Sequence, residues 1–218
     1  MISPERLDLL QRQWVRLLEG FGVSPAEAYP LFDRLVAAYS EPHRYYHTLE
    51  HLAEMFRVVG RLGLSDPAPV CLAVWYHDAV YDTRVKDNEG RSADLAVREL
   101  TALRLPAEVV GKVRTLVLAT DHVNPPPAIN GQVAVLLDAD LAILGASPER
   151  YRRYADDIRK EYDWVPEEAY RAGREQVLLR FLAMPYIYRT GPMIAEGEAA
   201  ARRNLRAEID HLRRQSAD

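Results

Sequence analysis

Cysteine is nearly absent from this chain. Of 218 residues only Cys71 is one, so no disulfide can close within it and no zinc cage can be built from thiolates. Such usage is expected of a reducing compartment. Cys71 lies in the apolar run Val70-Cys71-Leu72-Ala73-Val74-Trp75, where burial as a small hydrophobe accounts for it better than reactivity. Excess positive charge is also missing: 28 Lys and Arg stand against 32 Asp and Glu, a net charge of -4, and no overall basic field exists to hold nucleic acid. No uncharged run approaches the ~20 residues that span a bilayer, and Met1 to Arg6 shows no basic region followed by an apolar stretch. A cytoplasmic protein with no membrane or nucleic-acid partner is therefore expected. Repeats, low-complexity tracts and interdomain linkers are lacking too, so one domain over residues 1–218 is expected.

What the chain has is helix signals. Ser3-Pro4, Ser24-Pro25 and Ser147-Pro148 each place proline at a first helical position, where its missing N–H costs nothing. Ser24 and Glu27 have capping-box spacing. Apolar residues then recur at three and four: Leu7, Leu10, Trp14 and Leu17, followed by Leu31, Leu35 and Val36. The pattern predicts an all-α fold with helices at about 4–19, 25–40, 47–62, 68–81, 90–103, 106–120, 131–143, 148–162, 166–183 and 192–214. The run Val133 to Leu137 is short enough to suit a strand or a buried helix and is read as helix. Irregular chain is expected at 82–88 and at 122–130, where Pro125-Pro126-Pro127 forbids helix. The last helix should pack on the domain through one face and present a solvated charged face.

Three clusters carry chemistry. Five of the six histidines, His43, His47, His51, His77 and His122, fall within about 80 residues, and the first three are spaced by four. Where that segment is helical, neighbours share a face about 5–6 Å apart. In Trp75-Tyr76-His77-Asp78-Ala79-Val80-Tyr81-Asp82 an imidazole adjoins a carboxylate at the end of an apolar helix. A carboxylate buried there needs a cation, a proton or strong donors. A divalent metal would satisfy Asp78 and take His77 as a second ligand; a helix-end salt bridge to Arg84 or Arg91 is the plainer alternative. In Leu136-Leu137-Asp138-Ala139-Asp140-Leu141, two carboxylates interrupt a buried-looking run, and like charges in one apolar turn repel unless a cation lies near. Two positions apart is about 200° around a helix, so only one of the pair can face a given site.

The order of these elements resembles the HD superfamily of metal-dependent phosphohydrolases. His43-Arg44-Tyr45-Tyr46-His47-Thr48-Leu49-Glu50-His51, the Trp75 to Asp82 segment, Asn88-Glu89 through Ser92-Ala93, and Leu137 to Gly145 look most like a bacterial branch of predicted HD-type phosphohydrolases. The resemblance runs from about residue 5 to 210 and implies a compact multi-helix HD-type bundle. It also implies four metal ligands: His47, His77, Asp78 and Asp140, with Asp140 preferred over Asp138 because an apolar residue follows the family aspartate. His51 and His122 are then left for a second metal or for substrate, as binuclear HD proteins carry extra histidines. In the stretch after the dyad, alarmone-hydrolysing HD enzymes carry a Glu-Asp pair. Tyr81 replaces that glutamate here, so that substrate is not implied, while Asp82 remains able to orient water.

The resemblance implies hydrolysis of a small phosphorylated molecule, expected to be a nucleotide, by water activated on a divalent ion (Mn, Fe, Co, Ni, Mg or Zn). Asp78, Asp82 and Glu89 are the catalytic candidates, although Asn88 and Glu89 also suit a helix cap. Arg44, Arg84, Lys86 and Arg91 could grip phosphate, and Tyr45, Tyr46 and Tyr81 could line the entrance or stack on a base. Two other classes stay open: a binuclear iron oxygenase on the same scaffold, and a non-catalytic regulatory module holding a structural metal.

Overall fold

The structure, a computed structural model, describes residues 2–122 and 130–214. Its described residues form ten α-helices, one 3-10 helix and no strand, so the fold is all-α as the periodicity predicted. The helices are α1 (Pro4–Glu19), α2 (Pro25–Ala38), α3 (Leu49–Leu62), α4 (Ala68–Tyr76), α5 (Asn88–Ala102), α6 (Ala107–Leu118), α7 (Gly131–Asp140), α8 (Pro148–Glu161), α9 (Glu167–Ala183) and α10 (Gly191–Arg214). By length and apolarity no single helix among the described residues is able to cross a membrane. The contacts fall into two compact units, Met1–Ala139 and Asp140–Asp218.

The first unit is organised around α4. Val70, Leu72, Ala73, Val74, Trp75 and Tyr76 are all fully buried, as expected of a helix that is apolar all round. It packs against α3, α5 and α6. Trp75 lies edge-on to Trp14 and Phe32, with ring centroids 5.4 and 5.7 Å away. Burial of each large side chain here stabilises by about 1.5–3 kcal/mol, which anchors the chain immediately before the His77-Asp78 dyad. Helix α1 starts as the sequence indicates, Ser3 Oγ accepting from the Arg6 N–H, and at α2 the Glu27 carboxylate takes the Ser24 N–H and hydroxyl.

Of the helix boundaries that differ from the prediction, two matter most to the site. Helix α3 begins at Leu49 rather than 47, because Thr48 is extended (φ -116°, ψ 178°). Helix α4 stops at Tyr76, although its apolar pattern continues to Tyr81. Beyond the dyad, side chains from distant positions take the backbone groups that a helix would pair. Tyr39 accepts from the Asp78 N–H while donating to the Trp75 carbonyl. Arg44 donates to the carbonyls of Asp78 and Ala79, Ser92 bridges the N–H and carbonyl of Val80, His43 donates to the Tyr81 carbonyl, and Asn88 clasps both groups of Asp82. With every carbonyl from Asp78 to Asp82 satisfied, irregular backbone is stable there.

In the second unit the 3-10 helix Leu141–Gly145 follows Asp140 and is held by α10. Asn204 donates to the carbonyls of Leu144 and Ala146, and Tyr188 donates to that of Leu141. The Tyr188 ring fits a slot left by two glycines: a Cβ on Gly145 would stand 2.7 Å from its hydroxyl, and one on Gly197 2.8 Å from its ring. The charges of α10 are not all solvated. Glu208 forms a two-point ion pair with Arg174 at 2.8 and 3.2 Å and accepts from Tyr151, with both charged side chains largely buried. Burial and the Glu208 charge hold the Tyr151 phenol well above its usual range.

Candidate metal centre

The site forms where the start of α3 meets the end of α4. His51, in the first turn of α3, and His77, capping α4, are buried at 2 % and 1 % exposure. Asp78 follows at the rim with its side chain 15 % exposed. His51 Nε2 is 3.3 Å from His77 Nε2, and His77 Nε2 is 3.0 Å from Asp78 Oδ2. All three ligand atoms lie within 4.8 Å of one another.

The chemistry of this donor set fits a divalent cation. His77 Nδ1 is 2.9 Å from the Val74 carbonyl, which can only accept, so in the neutral ring the proton sits on Nδ1 and Nε2 presents its lone pair to the cluster. That lone pair faces a second imidazole nitrogen and a carboxylate oxygen, an arrangement that calls for a proton or a metal among them. For bonds of about 2.1 Å, neighbouring ligand atoms stand about 3.0 Å apart in an octahedron and about 3.4 Å in a tetrahedron. The observed separations of 3.0 and 3.3 Å fall in that range.

His47 is not part of this tight set. It stands beside it, Nε2 3.9 Å from Asp78 Oδ2, with its side chain 18 % exposed. The reason is local: His47 precedes Thr48, the extended residue before α3, so the four-residue spacing to His51 is not the spacing of one helical face. Its ring packs against Tyr81 (4.3 Å between centroids) and edge-on against Tyr46 (5.0 Å). Tyr46 is nearly buried and also contacts the His51 ring at 4.8 Å, which makes it a wall of the centre rather than an entrance residue.

Arg44 is given another task than gripping phosphate. Its side chain is fully buried, and its guanidinium meets the carbonyls of His47, Asp78 and Ala79 and the Glu41 carboxylate while lying over the rings of Tyr39 and Tyr81. It ties the histidine segment to the dyad. Arg84, Lys86 and Arg91 are exposed, as is Tyr45. Asp82 is half-buried and Oδ1 accepts from the Arg84 N–H, closing a turn. Glu89, in the first turn of α5, is held above the usual carboxylate range, first by burial and then by the charges of Asp121 and Asp78, against which His122 acts. Glu89, Asp121 and His122 therefore share the electrostatic surroundings of Asp78. The Pro125-Pro126-Pro127 stretch behind His122 lies outside the described residues.

Of the two aspartates in α7, Asp138 belongs to the first unit and is fully buried. Asp140 opens the second unit, where it is half-buried and its charge is felt by the Tyr154 phenol. The positioning residue that the sequence did not point to is Tyr39, while His43 stood out only as one of the clustered histidines. Ser92 and Asn88 were visible as a motif, but its purpose, holding the loop after the dyad, was not.

These features define an all-α protein with a two-histidine, one-carboxylate group able to hold a metal ion. The chain matches no family model, no curated protein and no solved structure.

Proposed function

We propose that the protein is a divalent-metal-dependent phosphohydrolase acting on a small phosphorylated molecule, a nucleotide being the expected class. One observation carries the reading: the convergence of His51 Nε2, His77 Nε2 and Asp78 Oδ2 on one buried point with an open rim. The order of motifs along the chain, similar to the HD pattern, supports phosphate chemistry at such a centre. A divalent cation bound there supplies Lewis acidity toward a phosphoryl oxygen and a water activated at neutral pH.

The chain's own residues do the rest. His51 and His77 bind through Nε2, and the Val74 carbonyl holds His77 in the tautomer that makes this possible. Asp78 binds and balances charge. His47, at the rim 3.9 Å from Asp78, is placed to give a proton to a leaving oxygen. Glu89, with its raised affinity for protons, is the candidate acceptor. Exposed Arg84, Lys86 and Arg91 are left to meet phosphate in solution.

The test is elemental analysis of protein purified without added metal, followed by a phosphate-release screen of nucleotides, sugar phosphates and pyrophosphates with each of Mn, Fe, Co, Ni, Mg and Zn. Bound metal and release by at least one substrate are expected, with release abolished in Asp78→Ala that retains its helical circular dichroism. A folded, metal-loaded protein that cleaves no member of the panel would end the proposal. A second reading has its own support, since two histidines and one carboxylate also suit Fe(II) oxygen chemistry. Iron as the retained metal, with oxygen consumed on addition of a substrate, would favour it.

A further inference from the structure

A cleft of about 490 Å³ lies among α1, α3 and α4 of the first unit, and none of its lining residues belongs to the metal centre. That volume is ordinary for a small-molecule site. Leu17, Phe56, Val59, Leu64 and Trp75 make it apolar, Trp75 being the most deeply buried of them. Its lining includes no acidic residue and a single charged one, Arg16, which shares a face of α1 with Gln13.

Arg16 differs from the other arginines of α1. Arg6 pairs with Glu50 and Arg12 with Asp8, whereas Arg16 has no carboxylate partner among the described residues, in a chain whose net charge is -4. On the α3 side the wall is opened by Gly60, where a Cβ would meet nothing within 4 Å. The cleft thus has an apolar body and a single cationic edge with an amide donor beside it.

We propose that this cleft binds a small amphipathic anion, a carboxylate on a hydrocarbon body of roughly ten carbons. The head sits at Arg16 and Gln13, and the tail lies along Phe56, Leu64 and Trp75. Cys71 also lines the cleft and reports on its occupancy; burial pushes its thiol up to about 11, so it alkylates slowly and measurably.

Decanoate is the probe, titrated by calorimetry in the presence of a chelator so that no carboxylate is held by metal, with iodoacetamide alkylation of Cys71 followed at about pH 9. Saturable binding is expected, with Cys71 protected at least about fivefold at saturation. Arg16→Gln should weaken binding about tenfold, and decanol should bind correspondingly less well than decanoate. Gly60→Leu should fill the cleft and abolish both binding and protection while the protein still melts cooperatively. Absence of saturable heat would overturn the proposal, as would binding that leaves Cys71 alkylation unchanged. Equal affinity for decanol, or an Arg16→Gln protein indistinguishable from wild type, would overturn it independently of how Gly60→Leu folds.

Discussion

Replacing His51 by asparagine should remove metal binding, whereas the same change at His47 should leave it. His51 Nε2 is 3.3 Å from His77 Nε2 within a set whose members all lie within 4.8 Å, while His47 stands outside that set at 3.9 Å from Asp78. Loss of a residue that merely orients a ligand weakens metal binding about 10–100-fold. Loss of a ligand should exceed that, so a weakening of more than about 100-fold, or about 2.7 kcal/mol, is expected for His51→Asn and less than about tenfold for His47→Asn. Thermal melts give a second measure. Free metal at about 100 times the wild-type dissociation constant stabilises wild type by about 2.7 kcal/mol, but a variant binding about 100-fold more weakly gains only about 0.4 kcal/mol. The metal-induced rise in melting temperature should nearly vanish in His51→Asn and persist in His47→Asn, with His47→Asn losing turnover instead. Competition against a chromophoric chelator measures the same constants directly. If His47→Asn loses the metal and His51→Asn keeps it, the assignment of ligands from this geometry is wrong.

Arg44→Met should destabilise metal-free protein by roughly 1.5–3 kcal/mol, read as a lower melting temperature, since three backbone carbonyls and Glu41 lose a charged donor; a residue that only grips phosphate would leave the melt unchanged and raise KM. Gly197→Ala should destabilise by roughly 1–3 kcal/mol although alanine favours helix, because its Cβ would stand 2.8 Å from the Tyr188 ring. Gly173→Ala, inside α9 with nothing within 4 Å, should stabilise by up to about 1 kcal/mol, and denaturant titration of the two variants checks the contrast. Glu89→Gln should raise the melting temperature of metal-free protein at neutral pH. The folded protein raises the Glu89 pKa, so its charge costs stability once pH exceeds the unfolded value of about 4.5, and the gain should fade as pH falls below that value. A variant whose gain is the same at acid and neutral pH would contradict that cause.

The sequence by itself determined the helical class and nearly all of the helix positions, because proline at first turns, serine caps and three-four apolar spacing are local signals that act within one turn. It also marked His77 and Asp78, since a His-Asp pair ending an apolar helix is costly without a partner cation. Only the tertiary structure decided which histidine joins them. The four-residue rule relates His47 to His51 only if both lie in one helix, and an extended Thr48 puts His47 outside it. The same is true of the end of α4 and the task of Arg44. Periodicity continues past Tyr76, but Tyr39, Arg44, Ser92 and Asn88 take up the backbone of the dyad loop, Tyr39 and Arg44 from more than 30 positions away. Hydrogen bonds between residues so far apart depend on how α2, α4 and α5 pack, and packing is a property of the assembled core that no local spacing encodes.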